Sequence, residues 1–208
     1  MSVQQQLIIF ARAPLYGRVK RRLARDIGHE RALEFYTDTL AGLLAELRDG
    51  PWALTVATDT RAATTHPVFH GVETMAQPKG DLGHRMVTVL RRFAGQPCVL
   101  IGSDIPSVRQ SHIQSAFRAL HDAEVVFGPA CDGGFWLVGA SAEFLLTTRE
   151  PGGFMRGVQW STAHSLRDTL NTLPEGCRVE TISTLADVDD GDAYRRYVSA
   201  AGSNDNKL

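Results

Sequence analysis

The sequence predicts an α/β fold built on a mainly parallel sheet in one domain. Its short apolar runs lack the period-two alternation of half-exposed strands, and amphipathic helical patterns separate them. A chain of 208 residues is long enough for one full core and short for two.

In chain order, residues 7–11 read as the first buried strand. Leu33, Tyr36, Leu40, Leu43, Leu44 and Leu47 then step by three and four residues and line one face of a helix. A second strand is expected at 54–57. Leu82, Met86, Val89, Leu90 and Phe93 define the next helix, with Asp81 placed to cap its start. Strands at 98–102 and 125–128 bracket a helix carrying Ile113, Ala116, Phe117 and Leu120, opened by Ser107 or a neighbour. Beyond residue 130, FWLVGA reads as a strand, 161–173 as a helix, CRVETI as a late strand and 192–200 as a last helix. AGSNDNKL has the composition of a frayed end. The expected organisation is one domain over 1–201 and a flexible tail over 202–208.

Composition excludes several classes. A net charge of −1 argues against nucleic acid and membrane surfaces as partners. The N-terminal apolar run is too short for a signal peptide, and no segment approaches the roughly 20 apolar residues of a membrane span. Three cysteines, Cys98, Cys131 and Cys177, form neither a disulfide framework nor a CxxC site, which favours a cytoplasmic protein. The histidines make no HxH or HExxH pattern, and no GxSxG elbow is present.

Ligands of open α/β sheets sit beyond the C-terminal ends of the strands, and the unusual residues of this chain fall there. The first strand exits into ARAPLYGRVKRRLA, where Pro14 and Gly17 shape a turn and Arg12, Arg18, Lys20, Arg21, Arg22 and Arg25 supply charge. This is a phosphate-binding loop or a solvated basic helix start; it is neither a Walker A nor a GxGxxG loop. In IGSDIP, Asp104 stands just beyond a buried strand, as a Mg²⁺ ligand or a capping residue. In GPACDGGFWLVG, Asp132 precedes Gly133 and Gly134, whose backbones allow positive φ and close approach to a ligand. Asp132 reads as a second metal ligand or an acceptor-orienting group, with a plain β-turn as the competing account. Either Phe135 or Trp136 is free to stack on a sugar or base, while the other faces the core. QPKGDLGHRM joins a short strand to a helix; its glycines and Gln77 suit base recognition, or Asp81 is only an N-cap and His84 and Arg85 only surface residues.

Together, FARAPLYGRVKRRLA, QPKGDLGHRM, GSDIP, GPACDGGFWLVG, FMRGVQWSTAHSL and LADVDDGDAY resemble the rSAM/selenodomain-associated transferase 1 family over about residues 6–198. That family belongs to the nucleotide-diphospho-sugar transferase superfamily. The chain is also similar to 2-phospho-L-lactate guanylyltransferase and, more distantly, to molybdenum-cofactor nucleotidyltransferases. The resemblance implies a single-domain GT-A three-layer sandwich with a mainly parallel mixed sheet. It implies a nucleotide-binding set of Arg12, Ala13, Pro14, Gly17, Lys20, Gln77, Gly80 and Ser103, and catalytic Lys20, Arg22, Asp104 and Asp132. Mg²⁺ or Mn²⁺ is expected on Asp104 and Asp132, and an acceptor side at Gly133, Gly134, Trp136 and Trp160. Asp189, in the late DVDD segment, is either structural or a further metal ligand. The chain departs from the family pattern at Arg21, commonly Thr, and at Phe135, commonly Tyr.

The expected reaction is nucleotidyl transfer from a nucleoside triphosphate to a small phosphorylated acceptor, with release of pyrophosphate. A glycosyltransferase using a nucleotide-diphospho-sugar is the alternative. Such enzymes more often carry an Asp-x-Asp pair, and GSD supplies one carboxylate. A non-catalytic nucleotide-binding module is the third reading.

Overall fold

Each expected early strand forms, most of them a residue or two longer than its apolar run. In the computed structural model, which describes residues 4–147 and 153–205, these are β1 (Gln6–Ala11), β2 (Ala53–Thr58), β4 (Cys98–Gly102) and β5 (Val125–Pro129). The short strand before QPKGDLGHRM is β3 (Glu73–Ala76), FWLVGA is β6 (Phe135–Ala140), and β7 (Val179–Thr181) closes the set. The sheet order is β3-β2-β1-β4-β6-β5-β7. Only β6 runs against the rest, pairing antiparallel with β4 and β5. The C-terminal ends of the other strands therefore point to one edge, and the start of β6 joins them there.

Helices cover both faces. Alternation along β1 sends Leu7 and Ile9 to one core, where α2 (His29–Leu47) and α4 (Gln110–Ala119) bury Leu40, Leu44, Ile113 and Phe117. Ile8 faces the other core, with Met86 and Leu90 of α3 (Leu82–Arg91) and Phe144 of α5 (Ala142–Thr147). The remaining helices are α1 (Leu23–Ile27), α6 (Ser165–Leu170) and α7 (Gly191–Asp205). No helix among the described residues is long and apolar enough to cross a membrane.

Helix starts and ends differ in detail from the sequence reading. Asp81 caps α3 by accepting the His84 N–H at 2.8 Å. Ser107 does not open α4: a turn from Val108 N–H to Ile105 O absorbs it, and Arg109 stands at the cap with its N–H donated to His112 Nδ1. The helix expected over 161–173 is only α6, because Ser161 adopts φ 63° and cannot begin it. At the other end α7 runs past residue 200, and residues 206–208 of the expected tail lie outside the described residues, as do 1–3 of the expected domain.

Candidate nucleotide and metal site

The loop leaving β1 is shaped by backbone bonds from Leu15 N–H to Ala13 O and from Arg18 N–H to Leu15 O, with Gly17 at φ 71°. Tyr36 of α2 clips its start. The phenol accepts the Arg12 N–H at 3.0 Å, donates to Arg12 O at 3.1 Å and lies 3.1 Å from Ser103 Oγ beyond β4. Burial raises the Tyr36 pKa. Ala13, Pro14 and Gly17 thus serve as the turn, and the charged residues beyond it face the strand exits.

Lys20 lies at the root of this arrangement. Its backbone takes φ 44°, a strained region for a side-chain-bearing residue, and its side chain is only 4% exposed. Nζ reaches Asp104 Oδ2 at 3.1 Å and Asp189 Oδ1 at 2.8 Å. Burial opposes its charge, but the carboxylates of Asp104 and Asp189 outweigh burial and hold its pKa above the ordinary range. Arg22 Nη1 stands 3.7 Å from Asp189 Oδ2 on the solvent side.

Asp189 arrives because the chain after β7 stays beside the sheet. Leu185 N–H donates to Pro129 O, Trp136 Nε1 donates to Ser183 O at 3.0 Å, and Val188 N–H donates to Asp104 O at 3.4 Å. Gly191 N–H then donates to Asp26 Oδ2 at 2.8 Å, anchoring the entry to α7. This path brings Asp104, Asp187 and Asp189 together, with one carboxylate oxygen from each within 4.8 Å of the others. Burial, and then the charges of Asp104, Asp132 and Asp189, push Asp187 up to about 6. Three hard oxygen donors of this kind, already holding one ammonium, fit Mg²⁺ or Mn²⁺.

The carboxylates that lie together therefore differ from the expected pair Asp104 and Asp132. Asp132 is not in the carboxylate group; its Oδ1 accepts the Gly134 N–H at 2.9 Å, as in a turn. Asp187 was not singled out in the sequence, and Asp189 lies within the group while also bonding Lys20.

A cleft of about 600 Å³ opens over Lys20, lined by Arg12, Arg18, Arg21, Arg22 and Arg85 together with Tyr36, Gln77, Ser103, Asp104 and Asp189. Gln77, expected at a base, is engaged within the protein: its Nε2 donates to Ala57 O at 2.7 Å and its Oε1 accepts Arg85 Nη1 at 2.6 Å. That bond aims Arg85, a surface residue in one of the two sequence readings, into the cleft. Its buried Nε has no hydrogen-bond partner among the described residues, and burial and the nearby charge of Arg12 lower its pKa. Gly80 is not brought here; it lines a separate hollow with Asp81, His84 and Phe154.

Beside the basic cleft lies a smaller compartment of about 280 Å³, whose apolar lining includes Trp160, Phe135, Phe10, Leu82 and Leu100. Phe135 and Trp160 meet edge to face, with centroids 6.1 Å apart. Trp136 is only 3% exposed, and its ring fills the space left by Gly128, where any Cβ would lie 2.5 Å from the indole. Of the two rings, Trp136 is a core residue, while Phe135 is half-buried and packs edge to face on both Phe127 and Trp160. Gly133, at φ 86°, leaves room for the carbonyl of Ala163 and accepts the Leu166 N–H, which seats the segment bearing Trp160.

A seven-stranded mixed sheet carrying this cleft at its strand exits belongs to the nucleotide-diphospho-sugar transferase class of α/β folds. The chain is a member of the DUF2064 family, described as an uncharacterized protein conserved in bacteria, whose profile matches residues 40–162. Among solved structures it is similar to a Desulfovibrio desulfuricans G20 protein assigned as a nucleotide-diphospho-sugar transferase. That likeness has a TM-score of 0.81 and 25% identity, covering 91% of this chain and 84% of that one. CMP:2-keto-3-deoxy-manno-octonic acid synthetase, solved with CTP, shares the fold at TM-score 0.62 and 12% identity over 97% and 99% of the two chains. The mannosyltransferase PcManGT from Pyrobaculum calidifontis, solved with GDP-Man and Mn²⁺, does so at 0.55 and 14%, over 95% of this chain and 60% of that one. No curated protein matches the chain.

Proposed function

We propose that the chain is a divalent-metal-dependent nucleotidyltransferase, moving the nucleotidyl group of a nucleoside triphosphate to a small-molecule acceptor and releasing pyrophosphate. One observation carries the reading. Lys20, under a cleft lined by five arginines, touches two of the three carboxylates suited to a cation. Phosphate and metal binding thus share one point, which is what transfer at phosphorus needs from a protein.

Lys20 and Arg22 hold the triphosphate and stabilise the departing pyrophosphate, with Arg12, Arg18, Arg21 and Arg85 adding charge along the cleft. Asp104, Asp187 and Asp189 hold the ion. A bound Mg²⁺ or Mn²⁺ supplies charge neutralisation at the phosphate oxygens. Asp132 belongs to the acceptor side. The CTP complex of one structural relative and the family resemblance support the same reaction class.

The test is incubation with each nucleoside triphosphate and Mg²⁺ or Mn²⁺ across a panel of acceptors, following pyrophosphate. Release that disappears in Asp104→Asn supports the reading; nucleotide bound away from residues 12–22 defeats it.

A second reading, glycosyl transfer from a nucleotide-diphospho-sugar, is favoured by Asp187-Val188-Asp189. This is an Asp-x-Asp pair within the carboxylate group, supplying what GSD lacked. The GDP-Man and Mn²⁺ complex of the mannosyltransferase relative points the same way. Release of nucleoside diphosphate from a nucleotide-sugar, in place of pyrophosphate from a triphosphate, would select it.

A further inference from the structure

We infer that the acceptor is a neutral, hydroxyl-bearing molecule about one ring in size, of the sugar or polyol class, and not a phosphorylated compound. This rests on the transferase reading above and specifies its acceptor. The basis is a division of charge inside the cleft. Its larger part is lined by Lys20 and five arginines. The smaller compartment shares Phe10, Leu82, Gly102, Asp104, Trp160 and Ser161 with it, yet no lysine, arginine or histidine lines it among the described residues. Its charged groups are Asp104, Asp132 and Asp187.

With Lys20 and an ion neutralising the Asp104, Asp187 and Asp189 group, a phosphate monoester placed there would still meet the Asp132 carboxylate and would find no lysine, arginine or histidine in the lining to pair it. Like charges at contact range in a partly buried site cost an order of magnitude or more in affinity. A neutral ring meets complementary surfaces instead. Its C–H face packs against the rings of Phe135 and Trp160, and its hydroxyls donate to carboxylate oxygens in charge-assisted bonds. The compartment's 280 Å³ sits at the foot of the roughly 300–1,000 Å³ range of small-molecule sites, which suits a single ring. Trp160 and Ser161 form the boundary between the two parts, and Ser161 is held there at the strained φ of 63°.

The chemistry agrees with the charge. A hydroxyl needs a base before it attacks, whereas a phosphate or carboxylate acceptor is already deprotonated at neutral pH and needs a cation instead. Asp132 meets the first need: Oδ1 holds the Gly134 N–H at 2.9 Å, and Oδ2 accepts no hydrogen bond from the described residues. The acceptor oxygen forms a bond to the α-phosphorus. The bond from that phosphorus to the bridging oxygen breaks, and pyrophosphate leaves with its electron pair. The hydroxyl proton passes to Asp132 and on to water. The phosphorylated acceptor expected from sequence has no counterpart in this lining.

Ligand-observed NMR on the full chain with Mg²⁺ tests the inference. The probes are methyl α-D-glucoside, methyl α-D-mannoside, myo-inositol and glycerol, beside glucose 6-phosphate, mannose 6-phosphate, inositol 1-phosphate and glycerol 3-phosphate. At least one neutral probe should bind, tenfold or more tightly than its phosphate. Trp160→Ala should abolish that binding, and Asp132→Lys, at an exposed turn position, should narrow or invert the preference while melting normally. A phosphate that binds as well as its neutral partner, or no neutral binding at all, overturns the inference. A nucleoside triphosphate titration of the same samples by ³¹P NMR reports the basic part separately. Absence of triphosphate binding defeats the nucleotidyltransferase reading, while phosphate preference with intact triphosphate binding defeats only the acceptor class.

Discussion

Lys20 Nζ lies 2.8 Å from Asp189 Oδ1, joining two residues 169 positions apart in the chain. The same ammonium lies 3.1 Å from Asp104, so one buried cation ties the β1 loop to both the β4 exit and the segment after β7. Ammonium and divalent ion neutralise the same carboxylates, and the triphosphate needs the ammonium for itself. Under the proposed function, loading the site with metal and nucleotide would turn Lys20 from carboxylate toward phosphate. Replacing Lys20 by Met removes the competitor. Mn²⁺ binding, followed by electron paramagnetic resonance, should tighten several-fold, while nucleoside triphosphate binding weakens tenfold or more. Loss of both would mean that Lys20 assembles the carboxylates instead of competing for them.

Asp187 carries the clearest sign of mutual repulsion in the site, being pushed up to about 6 by burial and by its acidic neighbours. A divalent ion that binds the native state alone stabilises it by about 2.7 kcal/mol at a hundred times its Kd. Thermal melts of the wild type should shift upward with Mn²⁺. Asp187→Asn should melt no lower than wild type without metal and should lose most of the shift. Asp132→Asn should keep the shift, because its carboxylate lies outside the group. An Asp132→Asn protein that no longer responds to Mn²⁺ would restore the metal pair expected from sequence.

Tyr36 connects the loop leaving β1 to the exit of β4 through one phenol oxygen shared by Arg12 N, Arg12 O and Ser103 Oγ. Tyr36→Phe leaves those groups without that partner and should cost about 1–2 kcal/mol in urea denaturation. It should also raise the KM for the triphosphate more than it lowers kcat, since the carboxylate group is untouched. A purely structural role would lower stability without moving KM.

Much of this arrangement was legible because strand ends follow directly from apolar runs. Residues 98–102 are followed at once by Asp104, and residues 7–11 by the basic loop, so both fell at the correct edge. Asp187 was missed although β7 was expected, because it lies in the irregular segment beyond that strand, where no hydrophobic pattern fixes the path. Only the continuation of the strand's partner bonds, through Ile182 N–H to Phe127 O and Leu185 N–H to Pro129 O, carries the chain to the site. Arg85 looked like one more charge on an exposed helix start. Its direction is set by Gln77, itself held by Ala57 O, a contact between elements that no local pattern encodes. Alternation required that either Phe135 or Trp136 face inward. The missing side chain of Gly128 decides in favour of Trp136.

Gly133 joins backbone geometry to the smaller compartment through the segment that bears Trp160. At φ 86° with Ala163 O only 2.2 Å from any added Cβ, it tolerates no side chain unless the 160–166 segment moves. Gly133→Ala should destabilise by about 2 kcal/mol or more and displace Trp160. Binding of a neutral probe such as methyl α-D-glucoside should fall at least tenfold, with triphosphate affinity within twofold of wild type. Equal loss of both would show that the two parts of the cleft fold as one unit.

Alkaline stability reports on two groups buried in their neutral forms. Burial pushes the Cys98 thiol from 9.0 up to about 12, and burial likewise raises Tyr36 above its ordinary 10.0. Between the unfolded and folded values the native state binds more protons than the unfolded state. Stability is therefore fully present below about pH 9 and falls as pH rises, by up to about 1.4 kcal/mol per pH unit for each group. The contribution from Cys98 is exhausted only near pH 12. Urea midpoints should drop steadily from pH 8.5 to 11, and Cys98→Ala, although lower throughout, should show a shallower slope. Iodoacetamide at pH 8 should modify the exposed Cys131 and spare Cys98 until the protein unfolds. Alkylation of Cys98 in the folded protein at the rate of Cys131 would contradict its place at the centre of the sheet.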